Sequence, residues 1–179
     1  TIKTFTEGTI EASLRYAEKA VELDKEHTQS LAHLARLKIL IGDFDKAQAL
    51  LDKASMYDSE SFFPPYFKGI LFEKRHDVAM AKHYLDIALK KTTHKYQLRF
   101  INHHYQNLAV LDSDRLLQEE LLKKNISDFP EYAYMYGDYA QFLMDVSRFS
   151  EAELYWEKAI SLSPFPRAVS KLKRSERLI

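Results

Sequence analysis

The sequence predicts an all-α fold of stacked helical hairpins. Three alanines, Ala20, Ala54 and Ala88, stand 34 residues apart, and Ala159 follows two such periods plus three residues later. This interval is the length of one helix-turn-helix repeat unit. Only four glycines and five prolines occur in 179 residues, and no segment alternates apolar and polar residues for long enough to predict a strand. We therefore expect long helices joined by short turns.

Small residues also mark one face of the second helix in each hairpin, which we call the trailing helix. Seven residues before the four alanines stand Ser13, Ala47, Ala81 and Ala152. Residues seven apart lie two turns apart on the same helix face, so these small side chains are expected where neighbouring helices approach closely. A bulky set packs beside them and comprises Phe44, Leu51, Leu85, Phe149 and Trp156.

A leading helix is predicted ahead of the trailing helix in the middle and last units. Its apolar residues recur at helical spacing in three places: Leu31, Leu34, Leu37 and Leu40, then Tyr66, Ile70 and Phe72, then Tyr136, Tyr139, Phe142 and Leu143. Turn signals separate the two helices of a hairpin at "IGDFD", "KRHD", "LDSD" and "VSRF". Further turn signals separate successive hairpins at "YDSES", "KKTTH" and "FPEY".

Charge and composition exclude several classes of partner. Twenty-six basic residues balance twenty-six acidic ones, so no global field gathers nucleic acid, and nucleic acid is not an expected partner. No apolar run approaches the roughly 18 residues that cross a bilayer, and membrane insertion is not expected. The absence of cysteine fits a reducing compartment. We expect a cytoplasmic protein, or a periplasmic one if a signal peptide was removed; the start at Thr1 predicts a mature form or an excised domain.

A search for catalytic or metal-binding motifs finds none. The chain has seven histidines, but His103 and His104 are adjacent on a predicted helix and point about 100° apart, so they cannot chelate one ion together. There is no His-Glu-x-x-His motif, glycine-rich phosphate loop or nucleophile elbow. The carboxylates occupy positions typical of a solvated helix surface. We therefore predict no catalytic residue, no metal and no cofactor, and we do not expect an enzyme.

The pattern of small residues resembles the tetratricopeptide repeat (TPR) family over nearly the whole chain. The family has a small residue at position 8 of its repeat and alanines at positions 20 and 27, with a closing proline. These positions match Ala35, Gly69 and Ala140, then Ala47, Ala81 and Ala152, then Ala54, Ala88 and Ala159, with Pro130 and Pro164 as closing prolines. The resemblance implies a right-handed α-solenoid, a TPR-like superhelix with a concave inner surface.

Carried along the chain, the resemblance predicts a single solenoid domain over residues 1–179. It comprises a partial unit 9–27 without its leading helix, repeats 28–61, 62–95 and 133–166, and a degenerate unit 99–132. In the degenerate unit Gln106, Gln118 and Asn125 stand where small residues belong, and three extra residues near "KYQ" predict a local irregularity. A capping helix is expected over 167–179; a basic amphipathic helix that touches membrane or nucleic acid is the alternative.

The family resemblance also implies a binding surface. In this family the leading helices line the concave groove, with positions 2, 5, 9, 12 and 13 facing inward. The residues expected to contact a partner are Arg36, Phe63, Tyr66, Ile70, Lys74, Phe100, His103, Asn107, Tyr134 and Gln141. The same register also turns inward Gln29, Ala32, Ile39, Leu40, Glu73, Val110, Leu111, Gly137, Met144 and Asp145. Because a register error of one residue swings a side chain by about 100°, the alternative for each aromatic residue is a place in the core between hairpins.

These observations favour a noncatalytic scaffold that binds a peptide or helix of a partner protein in an aromatic and aliphatic groove. A regulatory or substrate-docking segment of a larger multidomain enzyme is the alternative. A homodimer through the N-terminal hairpin is a third hypothesis, because the face formed by Leu14, Ala17, Ala20 and Val21 needs a cover. Arg36 and Asn107 match remnants of the family's clamp for terminal carboxylates, but Ala32, Tyr66 and Phe67 stand where other clamp donors belong. We therefore expect an apolar ligand.

Overall fold

The computed structural model describes residues 2–164 and 171–172, with side chains from residue 9 onward. It contains the helices α1 (Ile2–Leu23), α2 (Thr28–Leu40), α3 (Phe44–Tyr57), α4 (Phe63–Lys74), α5 (Val78–Lys90), α6 (Lys95–Leu111), α7 (Arg115–Asp128), α8 (Ala133–Asp145) and α9 (Phe149–Leu162). No strand occurs within these ranges, which confirms the predicted all-α helical-repeat class. None of the helices in the described ranges combines the length and apolar character needed to cross a bilayer.

Turns of three residues join α2 to α3, α4 to α5, α6 to α7 and α8 to α9, as the turn signals predict. In the first turn the Gly42 N–H donates to the Ile39 carbonyl at 3.1 Å and the Asp43 N–H donates to the Lys38 carbonyl at 2.9 Å. Equivalent hydrogen bonds close α4 and α8. The middle residues of the four turns all have positive φ: Gly42, His76, Ser113 and Ser147. Hydrogen bonds of this kind with a left-handed residue form a Schellman motif, which stops a helix and turns the chain back.

The repeated alanines lie where helices meet. Ala47, Ala54, Ala81, Ala88, Ala152 and Ala159 are all 0% exposed. Gly69, the small residue of α4, shows how close the approach is: a Cβ built there would lie 2.7 Å from Cδ2 of Leu85 on α5. The expectation for Ser13 is wrong, because this residue faces solvent on α1 and its hydroxyl donates to the Thr9 carbonyl at 2.8 Å.

The chain divides into two compact units, Thr1–Asp112 and Ser113–Ile179. In unit 1, α2 packs on α3 and α4 packs on α5, while α4 also contacts α2 and α6. Its core includes Leu51, Leu71, Leu85 and Ile101. In unit 2, α8 packs on α7 and α9 around a core that includes Trp156, and Leu172 packs against that core. Of the predicted capping helix, 167–179, only Lys171 and Leu172 are described. The other residues lie outside the described ranges.

The predicted degenerate unit 99–132 is helical, and its two helices belong to different compact units. The three extra residues lengthen α6 to 17 residues, against 13 in α2 and 12 in α4. Gln97 stabilises the extended start of α6, because its Oε1 accepts the N–H groups of Thr93 at 2.8 Å and His94 at 3.1 Å. Gln106 and Asn125, which replace small residues, are both buried. The repeat boundaries and the dimer face on α1 stay predictions.

Replacing Gly42 with alanine is expected to lower the free energy of unfolding by about 1–2 kcal/mol. The cause is backbone strain alone: φ at Gly42 is +81°, and a Cβ there would meet nothing within 4 Å. Gly42→Asn should cost less, because asparagine adopts the left-handed region more readily. Urea denaturation followed by helical circular dichroism measures both. An alanine variant as stable as the wild type would contradict this account.

Replacing Gly69 with valine is expected to destabilise the protein by about 1–3 kcal/mol, because the added side chain meets the buried Leu85. The double variant Gly69→Val, Leu85→Ala tests the cause, since a smaller partner makes room for the valine. In urea denaturation the double variant should lose less stability than the sum of the two single losses. Additive losses would show that the two residues do not compete for space.

Candidate functional site

Helices α2, α4 and α6 place most of the predicted partner-binding residues on one side of unit 1. α4 contacts both α2 and α6, so the outward side chains of the three helices are neighbours. Arg36, Lys74, Phe100 and His103 are exposed, whereas Phe63, Ile70 and Asn107 are half-buried. We call the surface formed by these seven residues with His33, Val110 and Leu111 the leading-helix face. Seven of the ten residues predicted from sequence lie on this face.

Aromatic rings connect the three helices beneath this face. His33 on α2 lies 6.1 Å from Phe63, and Tyr66 lies 5.1 Å from Phe62 and 6.5 Å from Phe100, measured between ring centroids. Tyr66 is only 9% exposed, whereas Phe100 is 42% exposed. Tyr66 therefore occupies a core position, which was the alternative to a place in the groove. Its ring packs against the more exposed ring of Phe100.

A buried hydrogen-bond network links α4 to α6. Glu73 is 7% exposed. Its carboxylate accepts a hydrogen bond from His104 Nδ1 at 2.6 Å and another from Asn107 Nδ2 at 3.0 Å. The other ring nitrogen of His104, Nε2, lies 3.2 Å from the Tyr66 hydroxyl, so the imidazole ring bridges Glu73 and Tyr66. Both carboxylate oxygens are therefore satisfied, which a buried charge requires.

The network shifts the ionisation of its members. Burial is the largest influence on Glu73 and raises the pKa of its carboxyl group, but the hydrogen bonds from His104 and Asn107 outweigh it, and the net pKa is lowered. Burial, followed by the Glu73 charge, raises the pKa of Tyr66 to about 12. Burial also lowers the pKa of His33, with help from Arg36, and that of His103, with help from His104. Both histidines are therefore neutral near pH 7.

The hydrogen-bonded chain from Tyr66 through His104 to Glu73 has the order of a catalytic triad: a nucleophile, a base and an orienting carboxylate. Its geometry nevertheless supports a structural role. An activated nucleophile needs a lowered pKa and access to substrate. The Tyr66 phenol is buried and its pKa is raised, so it stays protonated at neutral pH. Among the described residues, no group of three or more histidine, aspartate or glutamate side chains could hold a metal ion.

An open cavity of about 410 Å³ lies between the ends of α4 and α6. Its lining combines exposed apolar side chains with charged and polar ones: Glu73, Lys74, His76, Asn107, Val110 and Leu111. Lys74 and Asn107 are residues that the sequence predicted at the site. A side chain of moderate size from another molecule fits such a cavity, with apolar contact on the α6 side and a cation at its edge.

Three residues that the register turned inward are instead buried in helix packing. Ala32 and Ile39 belong to the core of unit 1, and Gly137 is buried on α8. Two predicted contact residues belong to unit 2. There, Tyr134 is exposed, and the Gln141 side-chain amide donates to Oδ1 of Asp145 at 2.7 Å. The rotation of these helices therefore differs from the predicted register at Ala32, Ile39 and Gly137.

Sequence reasoning missed the roles of Glu73 and His104. Glu73 was assigned to the open groove, and His104 was considered only as a metal ligand. One signal was available: Glu73 is the sole acidic residue of the α2, α4 and α6 sequences. A lone carboxylate within apolar helices indicates a buried charge that needs a partner.

Replacing Glu73 with glutamine is expected to lower stability most at neutral pH. A folded-state pKa below the ordinary value of 4.5 means that ionised Glu73 contributes stability above that pH, and that this contribution is lost as the pH falls through the lowered value. The stability difference between wild type and Glu73→Gln, about 1–3 kcal/mol at neutral pH, should therefore shrink in acid. Urea denaturation across this range measures it, with exposed Glu157→Gln as the control. A difference that stays constant with pH would contradict the assignment.

Comparison with known proteins matches part of the chain to a family model. Residues 5–62 match the family model described as tetratricopeptide repeat. A comparison with curated proteins finds no significant match.

Several solved structures share the fold of nearly the whole chain. PilF of Pseudomonas aeruginosa is 15% identical, with 99% of this chain and 82% of that chain covered and a TM-score of 0.71. PilW, described as a widely conserved type IV pilus biogenesis factor, is 16% identical, with 99% and 86% covered and a TM-score of 0.72. YrrB, described as a TPR protein with an unusual peptide-binding site, is 17% identical, with 94% and 86% covered and a TM-score of 0.57. Residues 5–62 therefore match the tetratricopeptide repeat family, and the fold of nearly the whole chain is similar to that of these three proteins.

Proposed function

We propose that this protein is a noncatalytic scaffold that binds a peptide or helix of a partner protein on the leading-helix face of unit 1. The observation that carries the proposal is a set of half-buried or exposed apolar side chains on the packed helices α4 and α6: Phe63, Ile70, Phe100, Val110 and Leu111. Tetratricopeptide repeat proteins are generally interaction scaffolds, and the fold match to YrrB makes a peptide ligand compatible with this architecture.

The aromatic rings of the leading-helix face are preorganised for binding. Phe63 and Phe100 are already oriented by the rings of Tyr66 and Phe67 that pack against them, so a ligand that covers them orders few additional side chains. Covering an aromatic side chain removes up to roughly 150–250 Å² from water, and each Å² of apolar surface contributes about 25 cal/mol. Two half-covered rings therefore supply a useful share of the affinity of a peptide complex.

The test uses random peptides displayed on phage and selected against the full chain. Peptides that bind should lose at least about tenfold in affinity, or about 1.4 kcal/mol, for the double variant Phe63→Ala, Phe100→Ala. The matched control is Tyr16→Ala, Tyr57→Ala, which removes two exposed aromatic rings from α1 and α3 instead. Fluorescence anisotropy with synthetic copies of the selected peptides measures the affinities.

Either of two outcomes would overturn the proposal. The first is that no peptide is selected. The second is that selected peptides keep their affinity for the Phe63, Phe100 variant. Circular dichroism of each variant confirms that its helices are intact, so that a loss of binding reports on the face itself.

A further inference from the structure

We infer that the segment bound by the leading-helix face is acidic as well as apolar, and that it binds through internal aspartate or glutamate side chains placed beside apolar residues. This inference rests on the function proposed above. The expected ligand is an acidic and apolar peptide segment of a partner protein. The balanced net charge of the whole chain does not reveal this preference.

The three leading helices of unit 1 are strongly unbalanced in charge. The sequences of α2, α4 and α6 contain a single acidic residue, Glu73, against six basic residues: Arg36, Lys38, Lys68, Lys74, Lys95 and Arg99. The whole chain, in contrast, has 26 of each sign. In α1 and α3 acidic residues equal or outnumber basic ones, and in α5 two basic residues stand against one acidic, so the imbalance is largest in α2, α4 and α6 taken together.

The single carboxylate lines the 410 Å³ cavity, but it already has hydrogen-bond partners within the protein. Glu73 is buried, and its two oxygens accept hydrogen bonds from His104 and Asn107. A cationic ligand group would have to displace those donors from a buried site, at the cost of leaving them unsatisfied. The face therefore offers no free carboxylate to a basic peptide.

The orientation of the basic residues decides which of them are available. Lys38 pairs with Glu18 on α1 at 2.8 Å, and Lys68 pairs with Asp52 on α3 at 2.7 Å, so both are neutralised by neighbouring helices. Arg36 and Lys74 are exposed, and neither has an ion-pair partner in the part of the chain that the structure describes. Lys95 and Arg99 each have an interaction within the described chain, so Arg36 and Lys74 are the cations that remain for a ligand, with the buried Glu73 charge acting on Lys74.

Both available cations lie beside apolar surface. Arg36 follows His33 by one helical turn, and the His33 ring contacts Phe63. Lys74 lines the 410 Å³ cavity whose other wall includes Val110 and Leu111. An apolar side chain in this cavity brings a neighbouring carboxylate of the same segment to Lys74. Charges at the edge of an apolar contact contribute mainly to specificity and to the association rate.

The inferred partner differs from a terminal carboxylate. The positions at which donors to a chain terminus are expected hold Ala32, Tyr66 and Phe67, and all three are buried. The exposed His33 and His103 add no positive charge near neutral pH, because their pKa values are lowered. The attraction therefore comes from Arg36 and Lys74.

The experiment extends the peptide selection with a charge test. Peptides are fused through their C-termini to the coat protein, so no free terminal carboxylate is offered. Among peptides that lose affinity for Phe63→Ala, Phe100→Ala, we expect an excess of aspartate and glutamate over lysine and arginine. The double variant Arg36→Glu, Lys74→Glu should bind them at least about tenfold more weakly, and added salt should weaken wild-type binding. The matched control is Lys82→Glu, Lys90→Glu, which reverses two exposed charges on α5.

The outcomes separate the inference from the proposed function. If selected peptides depend on Phe63 and Phe100 but show no acidic excess, or ignore the reversal of Arg36 and Lys74, the inference is wrong and the proposed function stands. If no selected peptide depends on those rings, both are wrong. If synthetic peptides bind with a free C-terminus but not when amidated, binding requires the terminus, and the inference of internal carboxylates is wrong.

Discussion

The close approach of leading and trailing helices is the constraint on which unit 1 depends. Gly69 leaves no room for a methyl group beside Leu85, and Ala81 and Ala88 on α5 are fully buried. Because protein interiors are close-packed, this contact determines both the distance between α4 and α5 and the rotation of α4. That rotation turns Leu71 into the core and Lys74 to the outside. The orientation of the leading-helix face is therefore a consequence of how tightly the hairpin packs.

The buried carboxylate has two effects on the same face. Through His104 and Asn107 it ties α4 to α6, and in a medium of low dielectric constant such charge-assisted hydrogen bonds are strong. It also removes the only negative charge of the α2, α4 and α6 sequences from the surface. Structural support and surface charge thus have a common origin in Glu73, and the aromatic rings above it occupy a surface whose exposed charges are positive.

Much of the fold could be predicted because its signals are local and periodic. The alanines of α3, α5 and α9 are buried as expected, and all four three-residue turns fall at the predicted segments. The prediction that Ser13 lies at a helix contact was wrong, because α1 turns this position to solvent and the spacing of the small residues does not reveal that. Of the residues expected to contact a partner, Arg36, Lys74 and Phe100 are exposed, whereas Tyr66 is in the core. The contact between Glu73 and His104 was not predicted.

The sequence by itself determined the helical class, the small residues at helix contacts and the turns, because a period of 34 residues and a helical face can be recognised without knowing which helices touch. Only the tertiary structure decided which aromatic rings are covered and which charges are available. Those properties depend on helix rotation, where one residue of register changes direction by about 100°. They also depend on contacts such as His104 with Glu73, between residues 31 positions apart on separate helices.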